Sequence, residues 1–321
     1  YIKCKVLKIK QIMRAIKIHN YGSFEQLKYE ETEIPEVANN QVLVKIHATS
    51  INHLDMKKAS GGIPVDLPWI PGHDFAGTVE LIGKEVKGFR IGERVYGNCP
   101  GGSYAEFVAA DIDKVVKMPE ELSFIEASSV PHVGETAWQA IHTHGQLKAG
   151  QKVLVHGAAG AVGAFAVQFA HKTGATVYAT AAAEDMELVK AYGADEVIDY
   201  KTQDFTKEFQ GVDLVIMLVG GDTEERSYTI LKDGGRLVST IGIAHKEIAE
   251  IQNITAIPMV IQQSAKDLEK ITELINSGDV KTDIAVVYPM DQVVKAWKNL
   301  SGDPSLPKVT HGKIVLQIIS E

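Results

Sequence analysis

The pattern of apolar and polar residues changes near residue 133. In the first part, residues 41–48 (QVLVKIHA) alternate apolar and polar side chains, as a half-buried strand does. Comparable short runs occur at residues 14–18, 27–30, 75–82 and 94–96. Glycine- and proline-containing turns separate these runs, including a loop with Pro64, Pro68 and Pro71. Short strands with frequent turns predict a barrel-like or partly open β domain.

The second part alternates strand patterns with helical ones. We predict strands at residues 152–156, 176–180, 196–198, 214–218 and 236–240, and helices at residues 163–173, 185–192, 223–231 and 265–276. Such alternation predicts a parallel sheet with right-handed crossovers. A helical stretch over residues 124–142 precedes this region and is interrupted near Pro131 and Gly134. Strand patterns return at residues 285–288 and 313–318, with a helix near residues 291–300 between them.

A glycine-rich turn stands at the start of the alternating region. Residues 152–170 read KVLVHGAAGAVGAFAVQFA, an apolar strand, a turn over residues 157–163 and an apolar helix. A strand that enters a helix through such a turn directs free backbone N–H groups and the positive end of a helix dipole at one point. This order of elements predicts a site for the pyrophosphate of a dinucleotide.

Length and charge narrow the choice of protein class. A chain of 321 residues fits two domains or one large α/β unit. The net charge of −8 argues against a general nucleic-acid-binding surface, and no apolar run reaches the roughly 20 residues of a membrane span. Cys4 and Cys99 are too few for a disulfide framework, which favours a reducing, cytoplasmic setting. Residues 1–12 are locally basic and precede Met13, so we expect them to be an extension outside the fold.

Several motifs together resemble one family. They are NHLD (52–55), PGHDFAG (71–77), IGERVYG (91–97), GGSYAEFV (101–108), VGETAWQAI (133–141), VLVHGAAGAVG (153–163), LKDGGRLVSTIG (231–242) and HGKIVL (311–316). Their order and spacing resemble the medium-chain dehydrogenase/reductase superfamily, in its zinc-free, zeta-crystallin-like quinone oxidoreductase branch. The resemblance implies an α/β protein with a GroES-like β-barrel domain, residues 13–134 and 277–321, and a doubly wound Rossmann domain, residues 135–276.

The resemblance also implies a set of cofactor-binding residues. The family's A-x-G-x-x-G fingerprint falls on Ala158, Gly160 and Gly163, where glycine permits close approach of the pyrophosphate and close packing of helix and sheet. The complete set implied by the resemblance is Thr136, Ala158, Gly160, Ala161, Val162, Gly163, Thr180, Ala181, Tyr200, Val219, Gly220, Ile241, Gly242 and Lys308. In relatives, these positions surround a dinucleotide from its adenosine end to its nicotinamide ring.

The sequence favours NADPH over NADH. NAD-specific proteins place a carboxylate at the end of the second strand, where it binds the ribose 2′-hydroxyl. Residues 179–183 read ATAAA and contain no acid, so a 2′-phosphate would meet no repulsion there. Tyr200 matches a phosphate contact of relatives and is followed by Lys201, and Lys308 matches a basic position of relatives. Glu184 and Asp185, however, stand where NADPH-specific relatives often have a basic residue.

The same motifs also indicate whether the chain has the ligands for a catalytic or structural zinc. Asn52 stands where zinc-dependent relatives have a cysteine ligand, and no four-cysteine lobe is present. His73, Asp74 and His132 nevertheless form a chemically possible ligand set for zinc. We expect the protein to work without a metal, and the alternative is a zinc-type alcohol dehydrogenase that uses His73 and His132.

Without a metal, reduction of a quinone or an α,β-unsaturated carbonyl is the expected chemistry, because charge then collects on an oxygen that the protein must stabilise. We predict Asn52 as a hydrogen-bond donor, Asp55 as a residue that orients its loop, and Lys57 as a cation near the developing charge. Asp55 is equally well explained as a helix cap, Lys57 as a solvent-exposed residue, and Trp69 as either a pocket wall or a packing residue. A third alternative is a cofactor-binding or RNA-binding protein without turnover.

The expected partners are a small-molecule quinone or enone and a second copy of the chain, with no nucleic acid and no membrane. Relatives commonly pair through the edge of the Rossmann sheet. Here that edge includes the apolar residues 254–261 (ITAIPMVI), which would be a liability if exposed. The sequence therefore predicts a homodimer.

Overall fold

The computed structural model describes residues 11–319, and its elements are numbered in chain order. The strands are β1 Ile12–Lys17, β2 Lys28–Glu33, β3 Gln41–Ser50, β4 Asp74–Ile82, β5 Arg94–Asn98, β6 Phe107–Asp111, β7 Val115–Lys117, β8 Lys152–His156, β9 Thr176–Ala181, β10 Glu196–Asp199, β11 Val212–Met217, β12 Leu231–Ser239, β13 Thr255–Pro258, β14 Ile284–Pro289 and β15 Lys313–Gln317. The α-helices are α1 His53–Ala59, α2 Phe124–Ser128, α3 Pro131–Trp138, α4 Ala161–Lys172, α5 Met186–Ala191, α6 Phe205–Glu208, α7 Thr223–Tyr228, α8 Lys246–Ile251, α9 Ala265–Asn276 and α10 Val293–Leu300.

A parallel sheet forms the centre of the second half of the chain. Within the described residues its strand order is β10-β9-β8-β11-β12-β13, with helices between successive strands. Val155 of β8 lies opposite Ala179 of β9 on one side and Ile216 of β11 on the other. The chain leaves β8 in one direction and returns at β11 on the opposite side, so ligands are expected at the carboxyl ends of these strands. The predicted α/β class with a doubly wound sheet is confirmed.

Strands from the first half of the chain and its last two strands, β14 and β15, build a second sheet. Its order within residues 11–319 is β14-β15-β3-β4-β5-β7, with β6 also paired to β3. β15 pairs with β3 in antiparallel fashion, although more than 260 residues separate Lys313 from the end of β3. The C-terminal segment is therefore part of the β domain, as the resemblance implies. The exact domain boundaries remain a prediction.

One apolar core runs through both units. Ala48, Ala76 and Tyr96 of the β domain belong to the same buried cluster as Val153 and Val155 of the parallel sheet. Across this junction, the hydroxyl groups of Tyr96 and Thr272 lie 2.7 Å apart. Continuous burial of apolar surface stabilises the relative position of the two units, and the cleft between them is therefore a defined site.

Several elements differ from the sequence prediction. The helix predicted over residues 223–231 ends at Tyr228, because Leu231 already belongs to β12. The long helical stretch of residues 124–142 is divided into α2, α3 and a π-helical turn, Gln139–His144. Helix α1 and the short elements β6, β7 and α8 were not predicted, since each is too short to show a clear period.

The predicted N-terminal extension falls almost entirely outside the described residues. Residues 1–10 are not described, and β1 begins at Ile12, one residue before Met13. In the part of the chain that the structure covers, every helix is too short or too polar to span a bilayer.

Candidate active site

The glycine-rich turn between β8 and α4 forms one wall of a cleft. Gly157 has a φ of +70°, which side chains rarely adopt, and Gly160 caps the N-terminus of α4. A Cβ added to Gly163 would lie 2.2 Å from the Gly157 carbonyl oxygen, so this position requires glycine. At Gly160 the nearest protein atom would be 3.4 Å away, which leaves the backbone open to a ligand. These features fit a phosphate group at the end of a helix.

A cavity of about 830 Å³ extends from this turn to the β domain. The predicted cofactor residues that line it are Gly160, Ala161, Val162, Gly163, Thr180, Ala181, Tyr200, Val219, Gly220 and Lys308. Ile241 and Gly242 line an adjoining hollow that shares Val219 and Gly220 with the cavity. The volume and shape suit a ligand much larger than a single sugar or ring.

Two predicted cofactor residues are not brought to the cavity surface. Ala158 is fully buried, and its backbone N–H donates to the Thr180 carbonyl oxygen. The Thr136 hydroxyl donates to the His132 carbonyl oxygen at 2.6 Å, one turn earlier in α3. Both residues lie behind the wall, where they support it.

One end of the cavity carries mixed charges. Asp185 is buried, lines the cavity and accepts a hydrogen bond from the Thr310 hydroxyl at 3.0 Å. Glu184 accepts a hydrogen bond from Lys308 at 2.7 Å and lies 4.0 Å from Lys201, and these lysines lower its pKa to about 2. An acid thus does face the cavity near the end of β9. This acid, Asp185, lies beyond residues 179–183, at the start of α5, and is one of the two acids that the sequence places after the strand end.

Two further cavity residues could not be chosen from the sequence. His156 ends β8 and lies 3.1 Å from both the Thr180 and Ser227 hydroxyls; burial lowers the pKa of its ring to about 3, so it is neutral. Arg226 of α7 lies over the Phe205 ring and brings a cation to the wall. Only the position of His156 beside the glycine turn could have drawn attention to it.

The opposite end of the cavity is built around Asn52, which precedes α1. Its side-chain amide donates to Asp74 Oδ2 at 2.7 Å, and its amide oxygen accepts from Lys313 Nζ at 2.6 Å. Its backbone N–H donates to Asp55 Oδ2 at 2.8 Å, which caps the helix. Tyr104 also donates to Asp55, at 3.0 Å. Asp55 is therefore the capping residue of α1, and a role for it in orienting the loop for catalysis stays a prediction.

A buried chain of polar groups continues from Asp55. Its Oδ1 lies 2.5 Å from His73 Nδ1, and the other ring nitrogen, Nε2, lies 2.7 Å from Lys58 Nζ. An ammonium group only donates, so Nε2 is the acceptor and Nδ1 carries the proton toward Asp55. Burial lowers the pKa of Lys58, and Asp55 opposes this effect. His73 is thereby held in one tautomer.

These contacts do not fit a metal at this place. Both ring nitrogens of His73 are engaged, and Asp74 accepts hydrogen bonds on both oxygens, from Ser50, Asn52 and the backbone of His132. His132 Nδ1 is buried without a partner among the described residues, and burial lowers its pKa to about 4. No group of three or more His, Cys, Asp or Glu side chains arranged to hold a metal occurs within residues 11–319.

The predicted cation is not at the cavity. Lys57 is exposed and does not line it, whereas its neighbour Lys58 contacts His73 and Lys313 contacts Asn52. Trp69 is half-buried beside Lys58 and packs against Gly101, where an added Cβ would lie 2.4 Å from the indole nitrogen. Sequence analysis missed Lys313, although it lies within the HGKIVL motif.

Comparison with known proteins places these features in context. The sequence family model of the alcohol dehydrogenase GroES-like domain matches residues 38–120. The family model of the zinc-binding dehydrogenases matches residues 192–316. The chain is 33% identical to the chloroplast envelope quinone oxidoreductase homolog of Arabidopsis thaliana, over 96% of this chain and 99% of the relative. It is 30% identical to the chloroplastic NADPH-dependent alkenal/one oxidoreductase of the same plant, over 92% and 78%. The structure of the quinone oxidoreductase from Coxiella burnetii superposes with a TM-score of 0.87 at 32% identity, covering 96% of this chain and all of that one.

Proposed function

Because the chain belongs to the medium-chain dehydrogenase/reductase superfamily and is an oxidoreductase, we propose that it transfers hydride from NADPH to a quinone or an α,β-unsaturated carbonyl. One observation carries the proposal: a single cavity joins the glycine turn at Gly160 to the amide of Asn52. The glycine turn is suited to a dinucleotide pyrophosphate, and the Asn52 amide is suited to an oxygen that gains negative charge.

In this proposal the glycine turn binds the cofactor, and the residues around Asn52 stabilise the charge that develops on the acceptor. When bound, the reduced nicotinamide supplies the hydride. Asn52 donates one amide hydrogen to Asp74, and its second N–H has no partner among the described residues, so it can donate to the acceptor oxygen. An amide donor is independent of pH. Asp55 holds the start of α1, and thus Asn52, in place.

We favour NADPH because Lys308 and Tyr200 line the cavity near the end of β9. In this proposal the 2′-phosphate replaces Glu184 as the partner of Lys308. Asp185 lies on the same wall and favours a ribose hydroxyl, so NADH is the competing cofactor. Lys308→Met should weaken NADPH binding about tenfold and leave NADH binding within about twofold, since one charge-assisted contact is lost.

Fluorescence titration of the nicotinamide measures both dissociation constants in the absence of turnover. Lys207→Met provides the matched control, because this lysine is exposed and lies outside the cavity. An equal loss for NADPH and NADH in Lys308→Met would contradict recognition of the 2′-phosphate.

Stopped-flow oxidation of NADPH tests the reaction itself. We expect 1,2-naphthoquinone, a simple enone, or both to oxidise NADPH in the presence of the protein, and metal chelation to leave the rate unchanged. Absence of oxidation with both acceptors, together with tight NADPH binding, would favour a binding protein without turnover. A rate that falls on chelation would favour the zinc-type alternative.

We also propose a homodimer in the cytoplasm. β13 is one of the two edge strands of the parallel sheet, and Ile251 and Val260 beside it are 84% and 82% exposed. Pairing of two such edges would cover these side chains. Sedimentation of the protein and of Val260→Lys tests the assembly, and an identical monomeric mass for both would refute it. The cytoplasmic setting is supported by Cys99, which is buried and free.

A further inference from the structure

Lys313 lies at the Asn52 end of the cavity, one residue after the point where β15 approaches the glycine turn. It is the first residue of β15, is 5% exposed and lines the cavity. The preceding residue, Gly312, forms a β-bridge with Gly160 of the glycine turn. A lysine so deeply buried is uncommon, and it is retained only where its charge is compensated.

The ammonium group of Lys313 has specific partners. It donates to the Asn52 amide oxygen at 2.6 Å and to the Ile51 carbonyl oxygen at 2.8 Å. The nearest carboxylate oxygen is Asp74 Oδ2, at 3.8 Å. Lys313 thus interacts with neutral oxygens directly and with a buried negative charge at slightly longer range.

These contacts fix the orientation of the Asn52 amide. Because an ammonium group cannot accept a hydrogen bond, the amide oxygen must face Lys313. The amide nitrogen must then face Asp74, which accepts at 2.7 Å. This arrangement leaves the second N–H of Asn52 as the donor available to a ligand. A rotated amide would present its oxygen to Asp74 and lose both contacts.

We propose that Lys313 is a positioning residue for hydride transfer, which acts by holding the Asn52 amide with its N–H directed to the acceptor oxygen. The inference rests on the proposed reductase function. The positive charge of Lys313 also offsets the negative charge of Asp74, which would otherwise oppose the build-up of negative charge on the acceptor oxygen. Burial lowers the pKa of Lys313, and Asp74 and Asp55 oppose that shift.

A comparison of four variants tests the inference. Lys313→Met removes the ammonium and keeps a side chain of similar length, and Lys313→Gln retains an N–H donor without charge. Asn52→Ala and the double variant Asn52→Ala/Lys313→Met complete the cycle. Lys87→Met is the matched control, because Lys87 is exposed and lies outside the cavity.

The readout is single-turnover oxidation of NADPH by 1,2-naphthoquinone, with NADPH deuterated at the transferred position as a second measurement. In Lys313→Met we expect the hydride-transfer rate to fall about 30-fold, with a larger isotope effect and an NADPH dissociation constant within about threefold of the wild type. The double variant should be no slower than Asn52→Ala alone, because both changes remove the same donor. If Lys313→Met does not fold, Lys313→Gln should show a smaller fall in the hydride-transfer rate, of about tenfold, because it keeps an N–H donor.

Two results would overturn the inference while the proposed function stands. One is a hydride-transfer rate in Lys313→Met within threefold of an active wild type. The other is a double variant in which the two losses multiply, since Lys313 would then act independently of Asn52. If the wild type itself does not oxidise NADPH with any acceptor, the proposed function fails, and the role of Lys313 fails with it.

Discussion

The carboxyl group of Glu135 should make stability depend on pH. Glu135 lies in α3 and is fully buried between the two units. It contacts the Asn98 side-chain amide of β5, and it accepts the backbone N–H of Ser264, the cap of α9, at 2.8 Å. Burial, together with the charges of Asp74 and Asp267, raises its pKa from 4.5 to about 8.

Rotation of the Asn98 amide makes these contacts compatible with a protonated carboxyl group. The amide oxygen of Asn98 is buried without a hydrogen-bond partner among the described residues. A protonated Glu135 can donate to that oxygen once the amide is rotated, and the two orientations of an amide are equivalent in shape. Ionised Glu135 would instead be a buried charge with no cation among its contacts.

The sign of the pH effect follows from the two protonation states. Below pH 4.5 both the folded and unfolded proteins hold the proton, so Glu135 contributes no pH dependence. Between pH 4.5 and about 8 the unfolded protein has lost the proton and the folded protein has kept it. Stability therefore falls as pH rises, by about 1.4 kcal/mol per pH unit, or about 4 kcal/mol between pH 5 and 8.

Urea unfolding at several pH values measures this contribution. Glu135→Gln is neutral at every pH, so the free energy of unfolding of the wild type should decline relative to that of the variant across this range. Subtraction of the two profiles removes the effect of all other titrating groups. The exposed Glu208→Gln should give a profile parallel to the wild type. A constant difference between wild type and Glu135→Gln from pH 5 to 8 would refute the assignment.

Three further predictions concern the cavity. Asn52→Ala should lower turnover about 100-fold through loss of one donor, with the NADPH dissociation constant unchanged; unchanged turnover in steady-state kinetics would remove Asn52 from the mechanism. Gly163→Ala should lower the melting temperature, because its Cβ would lie 2.2 Å from the Gly157 carbonyl oxygen. Gly160→Ala should keep the wild-type melting temperature and weaken NADPH binding in fluorescence titration, because its Cβ meets no protein atom closer than 3.4 Å. Equal melting temperatures for the two glycine variants would contradict this account of the turn.

The parallel sheet was predictable because its signals are local. Strand β8 and helix α9 have the predicted bounds, and each shows its own period over consecutive residues. The segment from β8 to α4 also combines a strand, a glycine turn and a helix within 21 residues, 152–172. Such local patterns can be detected in a single sequence. They predicted both the fold class and the glycine turn that forms one wall of the cavity.

The reacting end was predictable only in part. Asn52 was chosen through family resemblance, and the structure places it at the cavity. The exposed position of Lys57 depends on a rotation of about 100° per residue around α1, which a seven-residue helix with no predicted period cannot reveal. Asp185 was noted only as a residue that follows the strand end where a basic residue is common, and the structure places it on the cavity wall.

The contribution of β15 could not be found by any local argument. Gly312 has a φ of +72°, and a Cβ there would lie 2.8 Å from the Ala285 backbone nitrogen, so glycine allows this segment to pass close to both β14 and the glycine turn. The next residue, Lys313, then reaches Asn52 across 261 positions of sequence. The same short segment therefore touches the glycine turn and contacts the proposed donor, Asn52. A change in its position would alter cofactor binding and hydride transfer together, whereas a change in the Lys313 side chain should alter hydride transfer alone.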